Sequence, residues 1–188
     1  MIFLFTLPVW ISCQKSPEQL KDLGFKLYDE GKYVKALVYL KFAFNSYPED
    51  PELIVRYAFC LTEIEGDVEG AISLLSESAI RNPDYAKTFA TLGYIAYNYS
   101  PQSDDKNIKQ GIYFTQRAAE LDPNDISIIY NLASFFLVAG NIDSALARFS
   151  EVYSMDSTYL DVEYRITRTI ELKVLKDAIM DKETSTYD

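Results

Sequence analysis

The sequence predicts an all-α protein built from helical hairpins that stack on one another. Apolar residues recur at helical spacing, since Leu20, Leu23, Gly24 and Leu27 stand at i, i+3, i+4 and i+7 and so share one face of a helix. A similar order of apolar and small residues, with some substitutions, occurs again within residues 89–123. A unit that repeats at this length cannot bury its apolar face alone, so neighbouring units are expected to stack and to share one continuous core.

Four units are predicted, each made of a first helix, a turn and a second helix. Their boundaries are 17–50, 51–85, 86–125 and 126–159. Pro17 and Pro51 suit the first helical turn, where the missing N–H of proline is no loss. Gly31 fits the left-handed residue that ends the first helix. Residues 160–181 are predicted to form one terminal helix that covers the open end of the stack, and 182–188 to be a disordered tail.

Small residues occupy matching places in every unit and indicate close helix approaches. They are Gly24, Ala58, Gly93 and Ala133 in the first helices, and Ala36, Ala71, Gly111 and Ala145 in the second helices. This pattern is similar to the tetratricopeptide repeat, a helix–turn–helix unit of 34 residues. The resemblance covers residues 17–159 in four copies. It implies a right-handed α-solenoid, in which the first helices line a concave groove that usually binds peptides.

Residues 1–12 are almost wholly apolar, and the chain becomes polar directly after Cys13. As a helix they would reach roughly 18 Å, short of the roughly 30 Å hydrocarbon core of a membrane, and the length suits the apolar section of a secretory signal. The sequence Ile11-Ser12-Cys13 resembles the processing site of bacterial lipoproteins. This resemblance implies that Cys13 carries acyl chains such as palmitate and begins the mature protein, with 13–16 as a short linker.

Two other interpretations of this N-terminal segment remain open. It can be an ordinary cleaved signal, or an apolar extension that packs on the first unit. The lipoprotein interpretation has a physical consequence, because two or more acyl chains hold a protein at a bilayer stably whereas one chain is marginal.

The groove is predicted to be lined by one lysine and six aromatic residues that lie at comparable places on the first helices. Tyrosine suits recognition because it offers a large contact area, a polar tip and little rotamer entropy to lose. The predicted groove residues are Lys21, Phe25, Tyr28, Phe59, Tyr94, Tyr97 and Tyr130. The alternative for any one of these aromatics is packing between units, without contact to a ligand.

The amino-acid composition argues against several classes of function. The net charge is −10, with 28 acidic and 18 basic residues, which argues against a nucleic-acid partner. Histidine is absent, so no imidazole base, Ser–His pair or histidine metal site is available. Cys60 stands among apolar residues and is expected to be a small core residue. No enzymatic activity, cofactor, metal site or small-molecule substrate is predicted.

Some tetratricopeptide repeat proteins bind the C-terminal carboxylate of a partner through a set of polar and basic side chains called a clamp. This sequence contains only part of that set. Lys21, Arg56 and Lys87 fall near clamp positions, but Phe25 and Thr91 occupy others. An acidic protein with an aromatic groove is therefore expected to accept an apolar or basic segment.

These observations predict a non-enzymatic protein–protein interaction scaffold that binds a peptide or protein segment in its groove. We expect it to be lipid-anchored in the bacterial cell envelope, facing the periplasm or the cell surface. Two alternatives are an accessory subunit of an envelope enzyme or secretion complex, and a cytoplasmic adaptor whose N-terminus is mis-assigned.

Overall fold

Helical hairpins follow one another along the whole of the chain that the structure describes. The computed structural model describes residues 15–99 and 105–184, and within these ranges it contains α-helices and no strand. The helices are α1 (Pro17–Asp29), α2 (Tyr33–Phe44), α3 (Pro51–Cys60), α4 (Val68–Arg81), α5 (Ala86–Asn98), α6 (Asp105–Leu121), α7 (Ile126–Val138), α8 (Ile142–Met155) and α9 (Val162–Thr184). The predicted signal segment, Cys13 and residues 185–188 lie outside the described residues.

The helices pair as the repeat pattern predicts. α1 packs on α2, α3 on α4, α5 on α6 and α7 on α8, and each second helix also contacts the first helix of the next unit. The first helices α1, α3, α5 and α7 contact one another in sequence, so they form one side of the stack. The predicted all-α solenoid of four hairpins with a terminal helix is confirmed.

Local side-chain chemistry sets where the helices begin and end. Ser16 and Gln19 form a capping box at the start of α1, and Asp50 accepts hydrogen bonds from the first turn of α3. Gly31, Gly66 and Gly140 have φ near +70° in the turns of the first, second and fourth units. Only glycine adopts this left-handed conformation without cost, so these turns are encoded directly in the sequence.

The predicted close helix approaches are present. A Cβ on Gly24 would lie 2.8 Å from Cδ2 of Leu40, so glycine lets α1 and α2 approach closely. A Cβ on Gly93 would overlap Oγ1 of Thr115 and would lie 3.0 Å from the carbonyl oxygen of Gly111. Small residues at these points therefore set the spacing within the hairpins.

The second unit is one residue longer than the first, and a π-helical turn absorbs the difference. α3 passes at Cys60 directly into this turn, Leu61–Glu65, and the N–H of Asp67 donates to the carbonyl of Leu61 at 3.2 Å. A π-helical turn accommodates one inserted residue without breaking the helix.

α9 covers the end of the stack through its first half. Val162 and Thr169 are fully buried against the fourth unit, and Lys173 forms a salt bridge with Asp143 near the start of α8. The helix continues to Thr184, three residues past the predicted end of the cap, so residues 182–184 are helical and not part of a disordered tail. Among the described helices, none has the length and apolar character needed to cross a membrane.

Candidate functional site

A cavity of about 390 Å³ lies on the side of the stack formed by the first helices. α1, α3 and α5 supply most of its wall, and the start of α7 closes one end. The lining residues are Tyr28, Asp29, Glu52, Val55, Arg56, Phe59, Tyr85, Lys87, Ala90, Thr91, Tyr94, Asp125, Ser127, Ile128 and Asn131. The cavity thus spans all four units, and it belongs to no single hairpin.

Three half-buried aromatic rings, Tyr28, Phe59 and Tyr94, run across the cavity in a row. The ring centroids of Tyr28 and Phe59 are 5.5 Å apart, and those of Phe59 and Tyr94 are 5.6 Å apart. Tyr33 packs behind Tyr28 and Phe59, at 5.3 Å from each. We call Tyr28, Phe59 and Tyr94 the aromatic row. These distances are those of favourable aromatic pairs, so the rings are held in place before any ligand arrives.

Arg56 joins the aromatic row to the charged rim. Its guanidinium donates hydrogen bonds to Asp29 and to Glu52, the latter at 2.9 Å, and lies over the rings of Phe25 and Tyr28. Burial lowers the pKa of Arg56, but the hydrogen bonds to the two carboxylates raise it by more, so the net shift is upward. Arg56 is a fixed cation whose charge is already balanced by its neighbours.

The remaining charges of the rim are Lys87 and Asp125. Lys87 is exposed and makes no salt bridge with any described residue. Asp125 caps α7 by accepting from the N–H groups of Ser127 and Ile128 at 3.0 and 3.3 Å. With Asp29 and Glu52 the rim holds three carboxylates and two cations, so it is weakly acidic.

Tyr94 connects the aromatic row to a further carboxylate. Its hydroxyl donates to Glu63 at 2.7 Å, and Tyr99 lies beside it with a ring centroid separation of 6.4 Å. Burial and the hydrogen bond to Glu63 raise the pKa of Tyr94 well above the ordinary value for tyrosine. The same two causes raise the pKa of Tyr99 to about 12. Both tyrosines are therefore neutral hydrogen-bond donors at neutral pH.

The structure brings together three of the seven predicted groove residues, namely the aromatic row. Phe25 and Lys21 lie next to the cavity, where Phe25 stacks under Arg56 and Lys21 forms a salt bridge with Asp50 at 3.1 Å. These two residues support the wall beside Arg56 and do not line the cavity itself.

Tyr97 and Tyr130 do not line this cavity. The ring of Tyr97 stacks on Phe135 of the next unit at a centroid distance of 4.4 Å. Tyr130 is only 9% exposed and donates a hydrogen bond to Asp161, at the start of α9. For these two residues the structure shows the packing between elements that the sequence left open as the alternative.

The seven predicted groove residues did not include Arg56, Tyr85 or Asp125, although Arg56 was placed near a clamp position. The sequence did carry a signal for Arg56, because this residue stands three positions before Phe59 and therefore on the same side of α3. Tyr85 and Asp125 lie just before helices, and their inclusion depends on how one unit tilts against the next. The spacing of residues within one helix carries no information about the tilt between two units.

The described residues contain no group of three or more His, Cys, Asp or Glu side chains that could hold a metal ion. Cys60 is fully buried, and burial raises the pKa of its thiol to about 12. A thiol in this environment remains protonated at neutral pH, so its expected role as a small core residue is confirmed.

Comparison with known proteins agrees with this architecture. Residues 27–92 match the family model of the tetratricopeptide repeat. No curated protein matches the sequence significantly.

Solved structures of MamA are similar to this chain. One crystal structure of MamA protein has a TM-score of 0.65 at 19% identity and covers 88% of this chain and 86% of its own. A second MamA structure gives 0.64 at 20% identity over 89% and 98% of the two chains. MamA from Desulfovibrio magneticus RS-1, from residue 41 to its end, gives 0.58 at 23% identity over 77% of each chain. At these identities the likeness shows the fold, an α-solenoid, and the tetratricopeptide repeat model matches the segment 27–92 of this chain.

Proposed function

We propose that this protein is a non-enzymatic scaffold that binds a segment of a partner protein in the cavity of its first helices. The observation that carries the proposal is the aromatic row, three pre-positioned rings that stay accessible in a cavity spanning all four units. Rigid aromatic side chains in a concave site supply binding area at low entropic cost. A volume of about 390 Å³ accommodates a few side chains of an inserted segment.

The chemistry of the rim favours an apolar side chain flanked by a basic residue. Val55, Ala90 and Ile128 add apolar atoms to the lining of the cavity, which suits an apolar anchor. The carboxylates of Asp29 and Glu52 are 62% and 44% exposed and keep acceptor capacity beyond their hydrogen bonds to Arg56. Lys87 is the exposed cation of the rim, so an acidic residue of the partner can form a salt bridge with it.

Site-specific photocrosslinking tests the proposal in the cells that make the protein. A photoreactive phenylalanine analogue replaces Ala90 in the cavity or, as the matched control, Ile80, which is 81% exposed on α4 outside the cavity lining. We expect a defined partner crosslinked from position 90 and not from position 80. Equal products from both positions would contradict binding in the cavity.

A second variant blocks the cavity without removing any existing packing. Ala90→Trp fills part of the cavity that Ala90 lines, whereas Ile80→Trp adds the same side chain at an exposed site. We expect Ala90→Trp to weaken capture of the crosslinked partner roughly tenfold or more, with unchanged helicity, and Ile80→Trp to have no effect. Undiminished capture by Ala90→Trp would overturn the proposal.

We further propose that the scaffold is anchored in the bacterial cell envelope through acyl chains on Cys13. The support is the apolar segment 1–12 and its abrupt end at this cysteine. Cells fed a fatty-acid probe are expected to label the wild-type chain and not Cys13→Ser, and Cys13→Ser is expected to leave the membrane fraction. Equal labelling of both chains would contradict the anchor.

A further inference from the structure

The outer side of α2 carries large apolar side chains that remain exposed. Val34, Val38 and Phe42 are 64%, 51% and 60% exposed, and their spacing of i, i+4 and i+8 places them on one stripe of the helix. The buried residues of α2 lie on the opposite side and are Ala36, Leu37, Leu40 and Ala43. Contiguous exposed apolar patches of this kind mark contact with a partner or a membrane.

Lysines border this stripe on both sides. Lys35 and Lys41 stand three positions before and three positions after Val38, which places them roughly 60° to either side of it around the helix axis. Both lysines are exposed, and neither makes a salt bridge with a described residue. α2 contains no acidic residue, whereas α4, α6 and α8 each contain two. We call the stripe and its two lysines the α2 face.

The end of α2 lies beside the start of α1. A Cβ on Gly24 would lie 2.8 Å from Cδ2 of Leu40. Three residues earlier in α1, Nζ of Lys21 lies 5.0 Å from the ring centroid of Tyr47, just past the end of α2. The two helices therefore run antiparallel. Cys13 stands three residues before the N-cap of α1, and three residues span at most about 10 Å, so an acyl anchor at Cys13 keeps this end of α2 close to a bilayer.

We propose that the α2 face rests on an anionic lipid bilayer, with the apolar stripe in the interfacial region and the two lysines at the phosphates of the headgroups. Burial of apolar side chains and attraction between lysines and anionic lipids are the two contributions that hold interfacial helices at membranes. The lysine stems can lie along the stripe while their ammonium groups reach the headgroups. The inference rests on the proposed anchor for the initial attachment, and it adds a specific contact and orientation.

The overall charge of −10 does not prevent this contact. Exposed charges farther apart than about 8 Å are largely screened at physiological salt, so the lysines on the face count more than distant carboxylates. None of the described residues that line the cavity lies on α2. The α2 face can therefore rest on a bilayer while the aromatic row stays open to a partner protein.

Quenching by a nitroxide lipid tests the contact on the full chain. The chain is purified in detergent from cells that make it and is reconstituted with vesicles of phosphatidylethanolamine, phosphatidylglycerol and the nitroxide lipid. A fluorescent probe is attached at Val38→Cys and, as controls, at two exposed positions outside the α2 face. These are Glu49→Cys, just after α2, and Tyr164→Cys, on α9 at the other end of the stack. We expect strong quenching at position 38 and little at the two control positions. The wild-type chain reports labelling of Cys13, since Cys60 is buried.

Charge reversal tests the role of the lysines. Lys35→Glu with Lys41→Glu, in the chain labelled at position 38, is expected to reduce quenching to the level of the controls. Replacing phosphatidylglycerol by phosphatidylcholine is expected to do the same. Lys109→Glu with Lys176→Glu makes the same change of charge on α6 and α9, and we expect it to leave the quenching unchanged. Far-ultraviolet circular dichroism verifies that all the chains fold.

The proposal is overturned if position 38 is quenched no more than the control positions, or if its quenching persists after charge reversal of the two lysines. A chain that sediments with the vesicles without quenching at position 38 loses the α2 contact and keeps the anchor. Fatty-acid labelling of Cys13 reports the anchor by itself, so the two failures are distinguishable. A photoreactive phenylalanine analogue at position 38 that crosslinks to a protein in cells also overturns the proposal, because a protein then covers the α2 face.

Discussion

At the scale of single residues, Gly93 and Thr115 determine how closely α5 approaches α6. Thr115 is 1% exposed, and its hydroxyl oxygen has no hydrogen-bond partner within the described structure. Its side chain occupies the space next to Gly93 that a Cβ would need. The hairpin of the third unit therefore combines a required glycine with a buried polar group that contributes unfavourably.

Replacing Thr115 by valine tests that cost. Thr115→Val removes an unpaired buried hydroxyl while keeping the branched shape, so we expect the free energy of unfolding to rise by about 1 kcal/mol. Urea denaturation measures this change in the free energy of unfolding. The matched control is Thr169→Val, because the buried hydroxyl of Thr169 donates to the carbonyl of Arg165 at 2.7 Å. That variant is expected to be neutral or destabilised, and equal gains in both variants would contradict the argument.

Gly93→Ala is expected to act in the opposite direction. Alanine favours a helix interior over glycine by about 1 kcal/mol, but its Cβ would overlap Thr115 and lie 3.0 Å from the carbonyl oxygen of Gly111. We therefore expect a loss of about 1–3 kcal/mol in the free energy of unfolding, as for overpacking in a core. A stabilised variant in urea denaturation would show that helix propensity outweighs the steric contact.

The partly buried tyrosines Tyr85 and Tyr99 predict a loss of stability in alkali. Burial raises the pKa of Tyr85 to about 12, and burial with the hydrogen bond to Glu63 does the same for Tyr99. A raised pKa means that the folded state favours the neutral phenol. This contribution is complete below pH 10 and is lost as the pH rises toward 12. In a pH titration, phenolate absorbance is expected to show one group of tyrosines that ionises near pH 10 and a second group that ionises at higher pH, together with unfolding. A single transition near pH 10 would contradict this expectation.

At the scale of elements, the docking of α9 depends on contacts far apart in the sequence. Tyr130 on α7 donates to Asp161, which also accepts from Nε of Arg165 at 2.9 Å. The ring of Tyr130 packs against Phe149 and Tyr159 at 5.5 and 5.6 Å. One tyrosine thus connects the fourth hairpin to the turn that starts the terminal helix.

This connection predicts an acid-sensitive end of the solenoid. The hydrogen bond from Tyr130 lowers the pKa of Asp161 below its ordinary value of 3.8. The resulting stability is therefore present above pH 3.8 and is lost as the pH falls through the lowered pKa. Hydrogen exchange of α9 is expected to accelerate in that range for the wild type, and already at neutral pH for Tyr130→Phe. No difference between the two chains at neutral pH would contradict the assignment.

At the scale of the whole molecule, the described core is divided along the stack. The largest cluster of buried residues extends through the first two units into the start of the third. A second cluster joins the fourth unit to α9, and a small one lies between α5, α6 and α7. In a solenoid each unit contacts only its neighbours, so stability follows this division and not the distance from a single centre.

Native-state hydrogen exchange is expected to follow the same order. Amides of α2, α3 and α4 are predicted to exchange most slowly, those of α8 and the first half of α9 at an intermediate rate, and those of 174–184 fastest. The order follows from the size of the core that each segment contributes to. Uniform protection along the chain would mean that the units unfold as one cooperative block.

The sequence by itself determined the four helical hairpins and several of the turns and close approaches within them. Prolines in the first helical turn, left-handed glycines and small residues at helical spacing act over a few positions, so Pro17, Gly31 and Gly24 could be assigned without coordinates, whereas the capping box of Ser16 was seen only in the structure. Tyr94 and Tyr97 show the limit, because both lie on exposed faces of α5, yet one lines the cavity and the other stacks on Phe135. Only the tertiary structure decided between them. Helical periodicity fixes which residues share a face, whereas the tilt between successive hairpins fixes which faces meet.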